Sequence, residues 1–182
     1  MPITAGLDVG GAHLKIALVE NQTPIAVDQF ACPLWQGIGK LDAAVAAARP
    51  MLDRADRIGI TMTGELSDLF DSRKEGVTEL VEWLTWELGD EIQFWQGVRG
   101  FGKGDSAIAN YADTGSTNFL AAAAIVGDRL GDAILLDFGS TTADIIPVLK
   151  GRPAAEGLSD AARQTSGELI YTGYTRTAVM GV

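Results

Sequence analysis

Gly6-Leu7-Asp8-Val9-Gly10-Gly11 (GLDVGG) and, far downstream, Leu136-Asp137-Phe138-Gly139-Ser140 (LDFGS) are two copies of one pattern. In each, an apolar run ends in Asp, one apolar residue, then Gly and a small residue. A second strand-like run follows both: Ala12–Val19 after the first and Thr141–Val148 after the second. A turn of this composition permits positive φ and lets backbone N–H groups approach a ligand closely. One copy alone reads as an ordinary glycine-containing hairpin. Two copies in matching context read as a phosphate site, with related halves facing each other across a cleft and gripping a polyphosphate from both sides.

Asp8 and Asp137 would repel phosphate oxygens, and a hard divalent cation resolves that conflict. Mg²⁺ keeps several waters and bridges one or two carboxylates to substrate phosphates, so both aspartates are candidate metal ligands.

Working outward, Ile3–Val9, Leu14–Glu20 and Ile25–Ala31 read as an antiparallel meander with short turns. Leu41, Val45, Ala48 and Leu52 share one helical face, with Pro50 late in the run. Residues 57–62 (RIGITM) make a fourth strand, Val77 to Leu88 a second helical stripe capped by Gly89, and residues 91–95 a fifth strand. The order β-β-β-α-β-α-β predicts one sheet layer covered by helices. Gly97–Asp105 holds four glycines in nine residues, and the joint between halves is expected around residues 105–116. Beyond it, Ser116 reads as the N-cap of an Ala-rich helix, whose Ala121–Ala124 run would let a neighbouring backbone pack closely. Two further strands follow, with Lys150-Gly151-Arg152 as their outgoing turn. The chain thus divides into 1–112, a first half with one hairpin, and 113–182, a partial second half with the other.

Composition limits the function classes. The 182 residues are 47% hydrophobic and 21% charged, with a net charge of −10, so no basic surface recommends nucleic acid or an anionic membrane. A single cysteine, Cys32, and a single histidine, His13, exclude an internal disulfide and the usual Cys/His zinc site. No run is long enough to span a bilayer, and the N-terminus lacks signal-peptide regions. A cytoplasmic protein is expected.

The paired hairpins resemble the phosphate motifs of the superfamily of actin, the heat-shock chaperone ATPases and the sugar kinases, in which two ribonuclease-H-like halves clamp a nucleotide. Four strings are similar to one subgroup: GLDVGGAHLK (6–15), TMTGEL (61–66), DFGSTTADIIP (137–147) and GELIYTG (167–173) with Arg176-Thr177. That subgroup is the hydantoinase/oxoprolinase-like proteins of tetrahydromethanopterin-linked one-carbon transfer. The resemblance spans residues 6–177. It implies an α/β, ribonuclease-H-like fold with a mixed sheet, and an incomplete second half, since relatives continue beyond GELIYTG.

The activity it implies is the condensation of methanofuran-type carrier biosynthesis. A furanylmethyl diphosphate would be joined to the ring of tyramine, or its glutamylated form, through a carbon–carbon bond with release of diphosphate. A furan-stabilised cation forms readily when the leaving diphosphate is neutralised in place. In that reading Gly10, Gly11, Gly139, Ser140, Thr141 and Thr142 contact phosphate. Asp8 and Asp137 hold Mg²⁺, Lys15 is a cationic contact, and either Glu65 or Glu168 removes a proton from the aromatic nucleophile.

Each of these residues also has a plainer role. His13 reads as a hairpin side chain, Lys15 as a strand residue facing solvent, Asp144 as a member of a buried polar network. Tyr171 and Glu168, in a segment with Gly at both ends, read as a tight functional loop or, more plainly, a structural turn; Arg73-Lys74-Glu75 reads as a helix start, and Trp83 and Trp86 as packing or interface residues. Two other functions fit the same residues. One is an ATP-dependent kinase or oxoprolinase-like ring opener, for which no second glycine motif for adenosine is present. The other is a non-catalytic or split subunit that retains the phosphate clamp and works with a complementing chain or a second copy.

Overall fold

The computed structural model describes residues 1–139, 142–174 and 177. Its contacts divide the chain into two units, Met1–Asn118 and Phe119–Val182.

The first unit is built on β1 (Ile3–Val9), β2 (His13–Glu20) and β3 (Thr23–Ala31), the meander expected from the sequence. Asn21 and Gln22, both at positive φ, form the two-residue β2–β3 turn whose twist matches the flanking strands. Helix α1 (Gly39–Leu52) then carries the chain over to β4 (Arg57–Met62), which pairs with β1 in parallel. Pro50 is accommodated in the last turn of α1. Helix α2 (Arg73–Leu88) starts at Ser72, whose hydroxyl accepts the Glu75 N–H, and ends at Gly89 in a positive-φ conformation. Strands β5 (Gln93–Trp95) and β6 (Phe101–Gly102) complete a sheet of order β3-β2-β1-β4-β5-β6.

Period-two alternation decides which face is covered. Ala5, Leu7 and Val9, Leu14, Ile16 and Leu18, and Ile60 and Met62 are buried in one core with Leu41, Val45 and Ala48 of α1 and Val77, Leu80 and Leu84 of α2. Burying one such side chain contributes about 1.5–3 kcal/mol before entropy is counted. The intervening residues, including Gly6, Asp8, Lys15 and Thr61, therefore lie on the opposite face.

Residues 105–116, where a joint was expected, are mostly helical. Helices α3 (Gly104–Ala109) and α4 (Tyr111–Thr114) bury Ala107 and Thr114 within the first unit. Gly115 bridges to Met62 beside β4, which keeps this segment with the first unit and places the division near Asn118.

The second unit contains helix α5 (Asn118–Leu130) but for its first residue, then β7 (Ala133–Phe138), β8 (Ala143–Leu149), β9 (Arg152–Pro153), α6 (Asp160–Ser166) and β10 (Leu169–Ile170). Its sheet has the order β10-β8-β7, with β9 paired to β8 across Lys150-Gly151. Both turn residues have positive φ. A close helix–backbone approach occurs at Gly127: a Cβ there would stand 2.5 Å from the Gly151 carbonyl oxygen. No helix of the described residues is long and apolar enough to cross a membrane.

Candidate functional site

The two Asp-x-Gly turns close in the same way. The Gly10 N–H donates to the His13 carbonyl at 3.0 Å, and the Gly139 N–H donates to the Thr142 carbonyl at 2.8 Å. A Cβ on Gly10 would lie 2.9 Å from that His13 oxygen, and one on Gly139 would lie 3.3 Å from that of Thr142. Close approach, not a left-handed backbone, therefore calls for glycine at position 10, and the fit at Gly139 is tight. Gly10, Gly11 and Gly139 are absent from the positive-φ residues, so the turns do not use the conformation that their composition permits. The amides of Gly10 and Gly139 are engaged in closing their hairpins, so neither is an open donor for an anion. The carbonyls of Gly11 and Ala12 accept the N–H groups of Leu34 and Cys32, tying the first turn to the segment that leads into α1. Ser140 and Thr141 lie outside the described residues.

Asp8 and Lys15 are directly opposed partners of β1 and β2. Lys15 Nζ stands 3.1 Å from Asp8 Oδ2, and Thr61 Oγ1 donates to Asp8 Oδ1 at 3.3 Å. Lys15 is thus solvent-exposed, as the strand reading has it, and paired with Asp8. This row borders a groove of about 630 Å³ on the uncovered sheet face, floored by Gly6, Ala17 and Gly59. The groove does not include Gly10 or Gly11. The His13 side chain is exposed, and its carbonyl does the work in the turn.

Among the described residues no three His, Cys, Asp or Glu side chains gather, so no cation cage built from protein alone exists there. Asp8 still suits Mg²⁺, which needs only one or two carboxylates when water and phosphate fill its other positions. Asp137 is exposed and lies opposite Asp144 across the β7–β8 pair.

Glu65 is buried beside the end of β4, its side chain fully inaccessible. Ser116 Oγ donates to Glu65 Oε1 at 2.5 Å, and Arg73 Nε lies 3.8 Å from the same oxygen. Arg73 also donates to the Gly115 carbonyl. This overturns the assignment of Ser116 as a helix cap: its hydroxyl is directed to Glu65, and its φ is +51°. Thr117, next in sequence, bonds back to the carbonyls of Asp113 and Thr114.

Glu168 sits in a different environment. Its carboxylate accepts the Glu156 and Gly157 N–H groups at 2.8 and 3.0 Å and the Ser166 hydroxyl at 2.9 Å. Burial alone would push its pKa up, but these donors and the Arg163 charge outweigh it and hold the group below the ordinary carboxylate value. Arg163, buried in α6, donates to Asp144 at 2.7 Å and to the Glu168 carbonyl at 3.2 Å, and stacks 3.7 Å over the Phe119 ring. Burial raises the Asp144 pKa despite that partner. Tyr171 donates to Asp160 at 2.6 Å, which, with burial, pushes its phenol up to about 12. Arg163 and the Glu65–Ser116 contact have no signature in the sequence, since each depends on residues brought together by the fold.

The family model described as hydantoinase/oxoprolinase matches residues 56–175. A Methanocaldococcus jannaschii protein named (4-{4-[2-(gamma-L-glutamylamino)ethyl]phenoxymethyl}furan-2-yl)methanamine synthase is 31% identical over 96% of this chain and 52% of its own. A Methanococcus vannielii protein of the same name is 48% identical over 25% of the chain and 20% of its own length. The first alignment shows that the chain spans about half the length of that curated relative. The name describes a phenoxymethyl product, an aryl ether, so the bond in that relative's product joins oxygen to carbon and not carbon to carbon as expected. Among solved structures, a Streptomyces griseus ROK family glucokinase, determined with glucose and AMPPNP, has TM-score 0.52 at 16% identity, covering 85% of this chain and 47% of that one. An Aquifex aeolicus Ppx/GppA phosphatase has TM-score 0.50 at 11% identity, covering 84% and 50%. These likenesses show a mixed α/β fold shared with sugar kinases and Ppx/GppA phosphatases. With the family model matching from β4 to beyond β10, the chain belongs to the hydantoinase/oxoprolinase family.

Proposed function

We propose that this chain supplies the diphosphate-handling part of a condensing enzyme of methanofuran-type cofactor biosynthesis. The reaction joins a furanylmethyl diphosphate to the phenol oxygen of a tyramine-type acceptor and releases diphosphate. The observation that carries this reading is the 31% identity, through both Asp-x-Gly hairpins, to a relative named for a phenoxymethyl-furan product. Because the chain spans about half of that relative, turnover is proposed for an assembly that has the remainder, whether in one polypeptide, a complementing subunit or a second copy.

The phenol oxygen bonds to the furanyl methylene as the methylene–diphosphate bond breaks, and diphosphate leaves with the electron pair. Lys15 offsets charge on the leaving group, with Gly11, Ser140, Thr141 and Thr142 as the remaining contacts and Gly10 and Gly139 setting the shape of the turns. Asp8 and Asp137 would hold Mg²⁺, which when bound neutralises the departing diphosphate. Of the two glutamates, Glu65 is taken as the group that receives the phenol proton, since it lies beside the end of β4 with the Ser116 hydroxyl 2.5 Å from its Oε1.

Calorimetric titration with Mg²⁺ and diphosphate tests the reading, with ATP as the comparison. Binding of Mg²⁺–diphosphate that is lost in Asp8→Asn/Asp137→Asn is expected. Binding of ATP with release of phosphate would replace the condensation by a kinase or ring-opening reaction, and no heat with either would leave a non-catalytic subunit.

A further inference from the structure

Ser116 occupies an unusual position for a serine. Its φ of +51° lies in the left-handed region, sparsely used by residues other than Gly, Asn and Asp and common where function over-determines the backbone. Several contacts hold it there. The Ser116 N–H donates to the Met62 carbonyl at 3.0 Å, and Arg73 donates to the Gly115 carbonyl. A Cβ on Gly115 would fall 2.6 Å from Glu65 Oε1, so only glycine lets the chain pass this close to the carboxylate. The result is a partly exposed hydroxyl whose proton points at a fully buried carboxylate 2.5 Å away. Arg73 beside Glu65 supplies the counter-charge that a buried carboxylate requires.

Glu65 has no surface of its own, so a proton from a ligand reaches it through a neighbour. We infer that Ser116 is that neighbour, a catalytic hydroxyl with Glu65 as the base behind it and Arg73 as a positioning residue. In the proposed condensation, on which this assignment rests, the phenol proton passes to Ser116 Oγ while the serine's own proton passes to Glu65 Oε1. The acceptor recognised at this point is a hydroxyl-bearing aromatic.

The activation of Ser116 can be read without turnover. Diisopropyl fluorophosphate reacts with base-activated serines: an Oγ–P bond forms, the P–F bond breaks, fluoride leaves, and Glu65 takes the proton. Peptide mass spectrometry of the treated chain should find the adduct on Ser116, faster by at least about tenfold than on Ser72 and Ser159, whose hydroxyls cap helices. Glu65→Gln should slow labelling by about a hundredfold, within the range of general-base effects, and Glu65→Asp should recover part of it. Labelling at Ser116 no faster than at the two capping serines overturns the inference even if Glu65→Gln does not fold. Equal labelling in a folded Glu65→Gln variant overturns it as well. A failure of Mg²⁺–diphosphate binding would defeat the proposed function separately, without altering the labelling result.

Discussion

Replacing Gly10 with alanine tests how the hairpin is built. The new Cβ would stand 2.9 Å from the His13 carbonyl oxygen, the same oxygen that accepts the Gly10 N–H at 3.0 Å. Ordinary contact begins near 3.4 Å, so a backbone atom that cannot swing aside must retreat by roughly 0.5 Å, forfeiting contacts that fall off steeply with distance. Weakening that hydrogen bond costs about 0.5–1.5 kcal/mol, and residual overpacking adds about 1–3 kcal/mol. Loss of unfolded-state freedom returns about 0.4–1 kcal/mol. The net expectation is a destabilisation of about 0.5–4 kcal/mol, centred near 2 kcal/mol. Gly11 is the matched control, one residue away in the same turn, with nothing within 4 Å of its added Cβ and no positive φ. Gly11→Ala should be neutral to within about 0.5 kcal/mol. Gly139→Ala, at 3.3 Å, should fall between them. Urea unfolding followed by circular dichroism should show the Gly10→Ala midpoint lowered by roughly 1 M. Equal midpoints for the Gly10 and Gly11 variants, or a worse Gly11 variant, would refute the closure argument.

Arg163→Met should destabilise the second unit by about 3–5 kcal/mol, because it strands Asp144 and the Glu168 carbonyl. Differential scanning calorimetry reads that loss, and an unchanged profile would remove the Arg163 network from the stability of the unit. Glu168 has a folded pKa below its ordinary 4.5, so below that value the unfolded chain takes up a proton that the native state refuses. Stability from this group is present above pH 4.5 and falls as pH drops through the lower folded value. Glu168→Gln should flatten that part of the acid unfolding profile, and an unaltered slope would contradict the assignment. Cys32 is fully buried, and burial pushes its thiol up to about 11. Ellman's reagent should therefore react with it only on unfolding, and rapid reaction in native buffer would show that the site opens.

Much of the fold was legible because it rests on local periodicity. The alternation in Ile3–Val9 and His13–Glu20, the helical stripes at Leu41 and Val77, and glycine at position 89 are properties of neighbours along the chain. Details that depend on long-range contact were misjudged. Ser116 has the composition of an N-cap, but a carboxylate 51 positions earlier takes its hydroxyl. The approach of Gly127 to Gly151, which the β8–β9 turn places, has no signature in the sequence. Between Glu65 and Glu168 the residue types alone did not choose. Their environments differ in the donors that surround each one.

The amino-acid sequence by itself determined the order of the first five strands and two helices, the doubled Asp-x-Gly hairpin and the family resemblance, since all three are written in the spacing of adjacent residues. Only the tertiary structure decided that Gly10 serves close approach instead of positive φ, that Asp8 meets Lys15 across two strands, and that Ser116 backs onto a buried Glu65. These are relations between atoms far apart along the chain, and their distances exist only once burial of the apolar faces has fixed the register of the strands.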